Sequence, residues 1–156
     1  MRVELKNKTS KDIFIVHGHN DKMKKESSDF LIELNLNPII LHQQPNRNRT
    51  IIKKFSDYAN IVNFAVILLS ADDFGYKKSD NPDKAILRAR QNVIFELGYF
   101  IGKIGQENVF VLLEDSKNFE ILSDYHGVLY TPFDKKGEWK KALKTELIES
   151  GYKIKS

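Results

Sequence analysis

The six residues Phe64-Ala65-Val66-Ile67-Leu68-Leu69 carry no polar side chain. A strand with one wet face alternates apolar and polar residues. An unbroken apolar run of this length instead belongs to a strand buried on both faces, inside a parallel sheet that helices cover. Two runs repeat the pattern: Asp12-Ile13-Phe14-Ile15-Val16 and Val109-Phe110-Val111-Leu112-Leu113. Between and after them, apolar residues recur at helical spacing, as in Phe30, Leu31 and Leu34, in Ile51, Ile52, Phe55 and Tyr58, and in Trp139, Leu143 and Leu147. Strands that alternate with helices make this an α/β chain.

The first strand is predicted over residues 12–16, followed by a helix capped by Asn20 or Asp21. A second strand covers residues 38–41. The polar loop from His42 to Arg49 then leads to a helix with Thr50 as its N-cap. After the central strand comes a polar connection, residues 75–84, and a helix from about Arg90 to Gly105. A fourth strand at 109–113, a fifth at 127–130 on an edge, and a last helix complete the series. Five strands suit the flavodoxin-like order 2-1-3-4-5 with helices on both faces, in which ligands bind beyond the strands' C-terminal ends, at the switch point between the first and third. The residues there are His17-Gly18-His19, the loop from His42 to Arg49, and Ser70-Ala71-Asp72-Asp73-Phe74.

A chain of 156 residues suits one domain. Residues 1–11 read as a flexible lead-in, 12–152 as the domain and 153–156 as a tail. The absence of cysteine excludes disulfides, thiol catalysis and cysteine-based zinc sites, and fits a cytoplasmic protein. The apolar runs are far shorter than the roughly 18 residues that cross a bilayer, so no membrane partner is expected. The net charge of +4 is spread among acidic residues, which argues against nucleic acid. No P-loop and no G-x-G-x-x-G follows a strand. A receiver's phosphoacceptor Asp and its Lys are replaced by Ser70 and Thr131.

In the helix from about Arg90, a turn of about 100° per residue puts Val93, Ile94, Leu97, Phe100, Ile101 and Ile104 on one apolar stripe. Asn92, Glu96, Tyr99 and Lys103 lie together on its flank. Glu96 thus stands at the shoulder of the buried face, where a carboxylate is partly desolvated yet open to a cleft. Spacing alone reads it first as a half-exposed helix glutamate supported by Asn92 and Tyr99.

Several separated motifs agree in order: His17-Gly18-His19, Gln44-Pro45-Asn46 with Arg49-Thr50-Ile51-Ile52, Ala89-Arg90-Gln91-Asn92 with Phe95-Glu96-Leu97-Gly98-Tyr99-Phe100, and Tyr125-His126-Gly127-Val128-Leu129-Tyr130. Together they resemble the bacterial TIR-like domains described as predicted nucleotide-binding proteins, found fused to STING-type cyclic-dinucleotide sensors in anti-phage signalling. The likeness runs from about Asp12 to Tyr152. It implies a flavodoxin-like TIR fold and an NAD glycohydrolase whose catalytic glutamate is Glu96. It also implies that residues 42–49 are the BB loop, with Gln44, Pro45, Asn46 and Arg47 mediating head-to-tail assembly into a homo-oligomer. NAD+ is then the substrate, no cofactor or metal is implied, and a STING-like sensor domain is expected in the native chain or as a partner.

One carboxylate suffices for this reaction because of the leaving group. Ordinary glycosidases use a second acid to protonate a poor leaving alcohol. The nicotinamide of NAD+ is already a cationic pyridinium and departs neutral, so what is left is to stabilise an oxocarbenium-like ribose. Around Glu96, Gly18 can admit a ligand's close approach or simply turn the chain. Asp72 and Asp73 can hold ribose hydroxyls or cap a turn. Phe74 can stack on a base or join the core. Asn92 flanks Glu96, and Arg49 and Arg90 can meet a pyrophosphate or form surface ion pairs. His17 and His19 line the end of the first strand; with His42 and Asp72 or Asp73 they offer a metal site, which the resemblance does not call for. Two rival functions remain at this level: a TIR module that only assembles, and a nucleoside-transferring enzyme of similar fold.

Overall fold

The computed structural model describes residues 10–122 and 130–154. Its centre is β3 (Ala65–Leu69), buried along its whole length. The wholly apolar run therefore does what its composition demands and meets helices on both faces. On one side β3 pairs with β1 (Asp12–Val16), which pairs with β2 (Asn37–Ile40); on the other it pairs with β6 (Val109–Glu114), which pairs with β7 (Tyr130–Phe133). All four pairings are parallel, in the order β2-β1-β3-β6-β7. This is the flavodoxin-like order expected from the sequence.

Two differences concern strands. The sequence places the last strand at residues 127–130, and of the motif that ends there only Tyr130 falls among the described residues; the pairing strand runs from Tyr130 to Phe133. Pro132 is tolerated because β7 pairs on one side only, with β6, so the missing N–H disrupts no central ladder. The polar connection expected after β3 is instead framed by an antiparallel ribbon, β4 (Asp73–Gly75) and β5 (Ile86–Arg88). The predicted lead-in, residues 1–11, lies almost wholly outside the described residues.

Helices α1 (Asp21–Glu33) and α4 (Glu138–Glu149) cover one face of the sheet; α2 (Ile51–Ala59) and α3 (Gln91–Ile104) cover the other. Asn20 caps α1 by accepting from the Met23 N–H at 3.0 Å, and Thr50 caps α2 by accepting from Lys53 at 3.3 Å. The α2–α3 layer is aromatic: Phe55 packs edge-on to Phe14, Tyr99 and Phe100. Burying such side chains stabilises the fold by roughly 1.5–3 kcal/mol each. It also fixes the rotation of α3. With Val93, Leu97 and Phe100 locked inward, the flank that carries Glu96 has one orientation.

Candidate active site

At the C-terminal ends of β1 and β2, on the α2–α3 face, lies a cavity of about 540 Å³ lined by Phe14, Ile15, His17, Leu41, His42, Asn46, Ile51, Lys54, Arg90 and Glu96. Its floor is the end of β1. One wall is α2 with the loop before it, and the other is the start of α3. Glu96 is the one carboxylate on this lining. Burial pushes its pKa up to about 7, desolvation being the cause. Among the described residues, no hydrogen bond or ion pair reaches its side chain. A partly dehydrated carboxylate without donors is costly in a folded protein.

The cationic side of the cavity is more crowded. His17 Nδ1 lies 2.8 Å from the Gly18 carbonyl oxygen. A carbonyl only accepts, so this nitrogen carries the proton. Burial lowers the His17 pKa, which favours the neutral ring, and its Nε2 then accepts from His42 Nδ1 at 3.1 Å. Arg90 Nη1 lies 2.9 Å from His19 Nε2, tying the start of α3 to the turn after β1. The three histidines therefore do not converge. Among the described residues no three His, Cys, Asp or Glu side chains cluster closely enough to hold a metal ion.

The loop ahead of α2 is held in one shape. Arg47 and Asn48 are consecutive left-handed residues, with φ of 48° and 55°, closed by a bond from the Arg49 N–H to the Asn46 carbonyl at 3.0 Å. Asparagine accepts this conformation readily; arginine does not, so the turn is maintained by its surroundings. Arg49 supplies them: its guanidinium donates to Asp57 at 2.7 Å and to the carbonyls of Pro45 and Asn46, at 3.0 and 3.1 Å. Gln44 donates weakly to the Ile40 carbonyl at 3.4 Å. Of the four residues assigned to assembly, Gln44, Pro45, Asn46 and Arg47, only Asn46 lines the cavity.

The remaining residues singled out in the sequence separate into groups. His17 and Arg90 share the Glu96 cavity, and Asn92 borders an adjoining apolar cavity with Glu96, Phe95, Ile51 and Phe55. Arg49 does not line the Glu96 cavity; its guanidinium is committed to the ion pair and the loop. Gly18 is required by a neighbour in the chain: a Cβ there would meet Asp72 Oδ2 at 1.8 Å and Ser70 Oγ at 2.6 Å. That same Asp72 oxygen accepts from the His19 N–H at 3.0 Å and from Ser70 at 2.8 Å, so Asp72 braces the turn from behind. Asp73 and Phe74 sit on β4, away from the lining, and Phe74 is 70% exposed, so it joins neither the core nor the cavity.

Lys54 was missed by sequence reasoning. It is 5% exposed, lines the cavity, and donates from Nζ to Asn46 Oδ1 at 2.9 Å. The available signal was position: Lys54 lies next to Phe55 and four residues before Tyr58, on the inward side of α2. Ile51, which the sequence places on that side, is 81% exposed.

Residues 12–135 match the family described as CAP12/Pycsar effector protein, TIR domain. The chain is 44% identical over 142 residues to YuaY of Escherichia coli K12, covering 91% of this chain and 46% of that protein. It is 36% identical over 147 residues to tirC of Dictyostelium discoideum, covering 90% and 72% respectively. A CD-NTase-associated protein 12 from a Lachnospiraceae bacterium is 31% identical over 88 residues, which are 56% of this chain and 26% of that protein. The chain thus spans about half the length of YuaY and a quarter of the last relative.

Proposed function

The chain belongs to the TIR-domain family of CAP12/Pycsar effector proteins, and on that footing we propose that it cleaves the nicotinamide–ribose bond of NAD+ with Glu96 as the catalytic carboxylate. One observation carries the reading: an unpartnered, half-buried carboxylate on a nucleotide-sized cavity at the C-terminal edge of the sheet. In the reaction the C1′–N bond breaks, its electron pair goes to the pyridinium nitrogen, and nicotinamide leaves neutral. Ionised Glu96 stabilises the oxocarbenium-like ribose. Attack by water and loss of its proton give ADP-ribose; attack by a group of the adenine ring would give a cyclic form.

We place this activity in an anti-phage effector that cyclic-nucleotide signalling switches on by self-assembly, with a STING-like sensor in the same native chain or in a partner. The surface beside the cavity supports assembly: Ile51 and Phe95 are large, apolar and exposed next to Glu96. Dilution would then silence the domain by mass action. No helix among the described residues is long and apolar enough to cross a membrane.

The test is nicotinamide release from NAD+ by protein concentrated until it assembles, beside Glu96→Gln at the same concentration. Release by the wild type and its loss in the folded variant is the expected result. No release from an assembled, folded sample would replace the enzyme with a TIR module that only binds its own kind.

A further inference from the structure

We propose that Lys54 recognises the 5′-phosphate on the ribose whose glycosidic bond Glu96 breaks, so that the site takes a pyridinium nucleotide and discriminates against the corresponding nucleoside. This rests on the glycohydrolase reading of the same cavity.

Lys54 is a charged side chain where charges are seldom left alone. It is 5% exposed, and buried ammonium groups are normally paired with a carboxylate. Here the partner is a neutral amide oxygen, Asn46 Oδ1 at 2.9 Å. The ion pairs on α2 go elsewhere: Asp57 takes Lys53 and Arg49, both at 2.7 Å. Among the described residues no ion pair reaches Lys54. An ammonium has three N–H donors, and one hydrogen bond accounts for one of them.

The cavity supplies the direction. Lys54 stands on the α2 wall and Glu96 on the α3 wall. The two groups line the same space of about 540 Å³, whose other ionisable residues, His17, His42 and Arg90, are basic. A ligand complementary to these walls carries positive charge at one end and negative charge at the other. A pyridinium ribose 5′-phosphate is such a molecule: the anomeric carbon faces the carboxylate while the phosphate extends from the far side of the ring. A compact ammonium suits a phosphate as a point charge, where a guanidinium would impose fork geometry.

The experiment compares nicotinamide mononucleotide with nicotinamide riboside as substrates of the assembled wild type, Lys54→Met and Asn46→Ala, each checked for folding by circular dichroism. We expect the wild type to prefer the mononucleotide in kcat/KM by about 10- to 100-fold, the size of a charge-assisted contact. Lys54→Met should erase the preference chiefly through KM for the mononucleotide. Asn46→Ala, which cuts the tether but leaves the ammonium, should keep it. A wild type without the preference, an unchanged preference in folded Lys54→Met, or an equal collapse in Asn46→Ala would each overturn the proposal, the last by making Lys54 a loop tether.

Calorimetric binding of ADP-ribose gives a second readout that needs no turnover. A loss of tenfold or more in Lys54→Met supports the phosphate contact, and unchanged or absent binding opposes it. Lys54-dependent binding without nicotinamide release would sink the glycohydrolase reading and leave the phosphate site standing. Release with preference and binding both indifferent to Lys54 would do the reverse.

Discussion

Two cavities open at the same C-terminal edge of the sheet, one on each face. The cavity between α2 and α3 holds Glu96; the one between α1 and α4 is somewhat larger, at about 640 Å³, and holds Glu26, Glu114, Asp115 and Asp134. Size does not separate the two cavities, but the surroundings of Glu96 differ from those of Asp134 and Glu114. Asp134 accepts from the N–H groups of Glu138 and Trp139 at 3.1 and 3.0 Å, and Glu114 from that of Ala71 at 2.8 Å. For Asp134, burial alone would raise the pKa, yet backbone donors outweigh it and hold the carboxyl below its ordinary value. Glu96 has the burial without the donors, and its pKa moves the other way. Withholding hydrogen bonds from a carboxylate leaves its charge for a ligand, whereas supplying them turns it into a helix cap.

The largest effect expected of this contrast is on the reaction. Glu96→Gln preserves shape and removes the charge, and should lower kcat for nicotinamide release by roughly 100- to 1000-fold, the usual loss on deleting an electrostatic partner of a transition state. Replacing Asp134 should leave kcat alone. Equal losses at the two positions would erase the distinction between the cavities.

Next in size is the pH dependence. In the proposed reaction the ionised form of Glu96 is the active one, and burial pushes its pKa up to about 7. The ratio kcat/KM should therefore rise about tenfold per pH unit below that value and level off above it. A bound pyridinium favours the carboxylate, so the kcat profile should break at a lower pH than that of kcat/KM. A profile flat from pH 5 to pH 8 would contradict the assignment.

The framework of this site was legible in the sequence, while its chemistry was legible only in part. Residues 64–69 could be placed because an all-apolar run has one home in an α/β fold. Asn20 and Thr50 could be placed because capping is local. Glu96 was located by helical periodicity, which reports the face a residue is on. It does not report what lines the opposite wall of the cavity, since that wall comes from α2, 37 or more residues earlier in the chain. The same limit hid Lys54, whose burial depends on the closure of the loop at Asn46. The β4–β5 ribbon escaped for a different reason: strands of three residues are too short to show a period of two. For Asp72 and Gly18 the sequence leaves a ligand role and a turn role open, because the contact between them joins two strand ends far apart in sequence.

A third prediction concerns stability, where the cost of withheld hydrogen bonds should be measurable. The ordinary pKa of Glu96 is 4.5, and folding raises it to about 7. The folded state thus holds the proton more tightly. Relative stability is fully present below pH 4.5 and is lost as pH rises through 7. Glu96→Gln carries no such loss. The variant should be more stable than the wild type by roughly 1–3 kcal/mol above pH 8, several degrees in Tm, with the gap closing in acid. An inactive variant that melts higher would show that the site is maintained against stability.

The smallest effect lies in the other cavity and has the opposite sign. The ordinary pKa of Asp134 is 3.8 and folding lowers it, so its contribution is present above that pH and disappears as pH falls through the lower folded value. Asp134→Ala leaves the Glu138 and Trp139 N–H groups at the start of α4 without their acceptor. It should lower Tm at neutral pH by on the order of a few degrees, and the difference should shrink on acidification. Melting curves of the two variants against pH would then separate in opposite directions from the wild type as pH rises, Glu96→Gln upward and Asp134→Ala downward. If both moved the same way, hydrogen-bond supply would not be what separates the two carboxylates, and the catalytic reading of Glu96 would have to rest on its position alone.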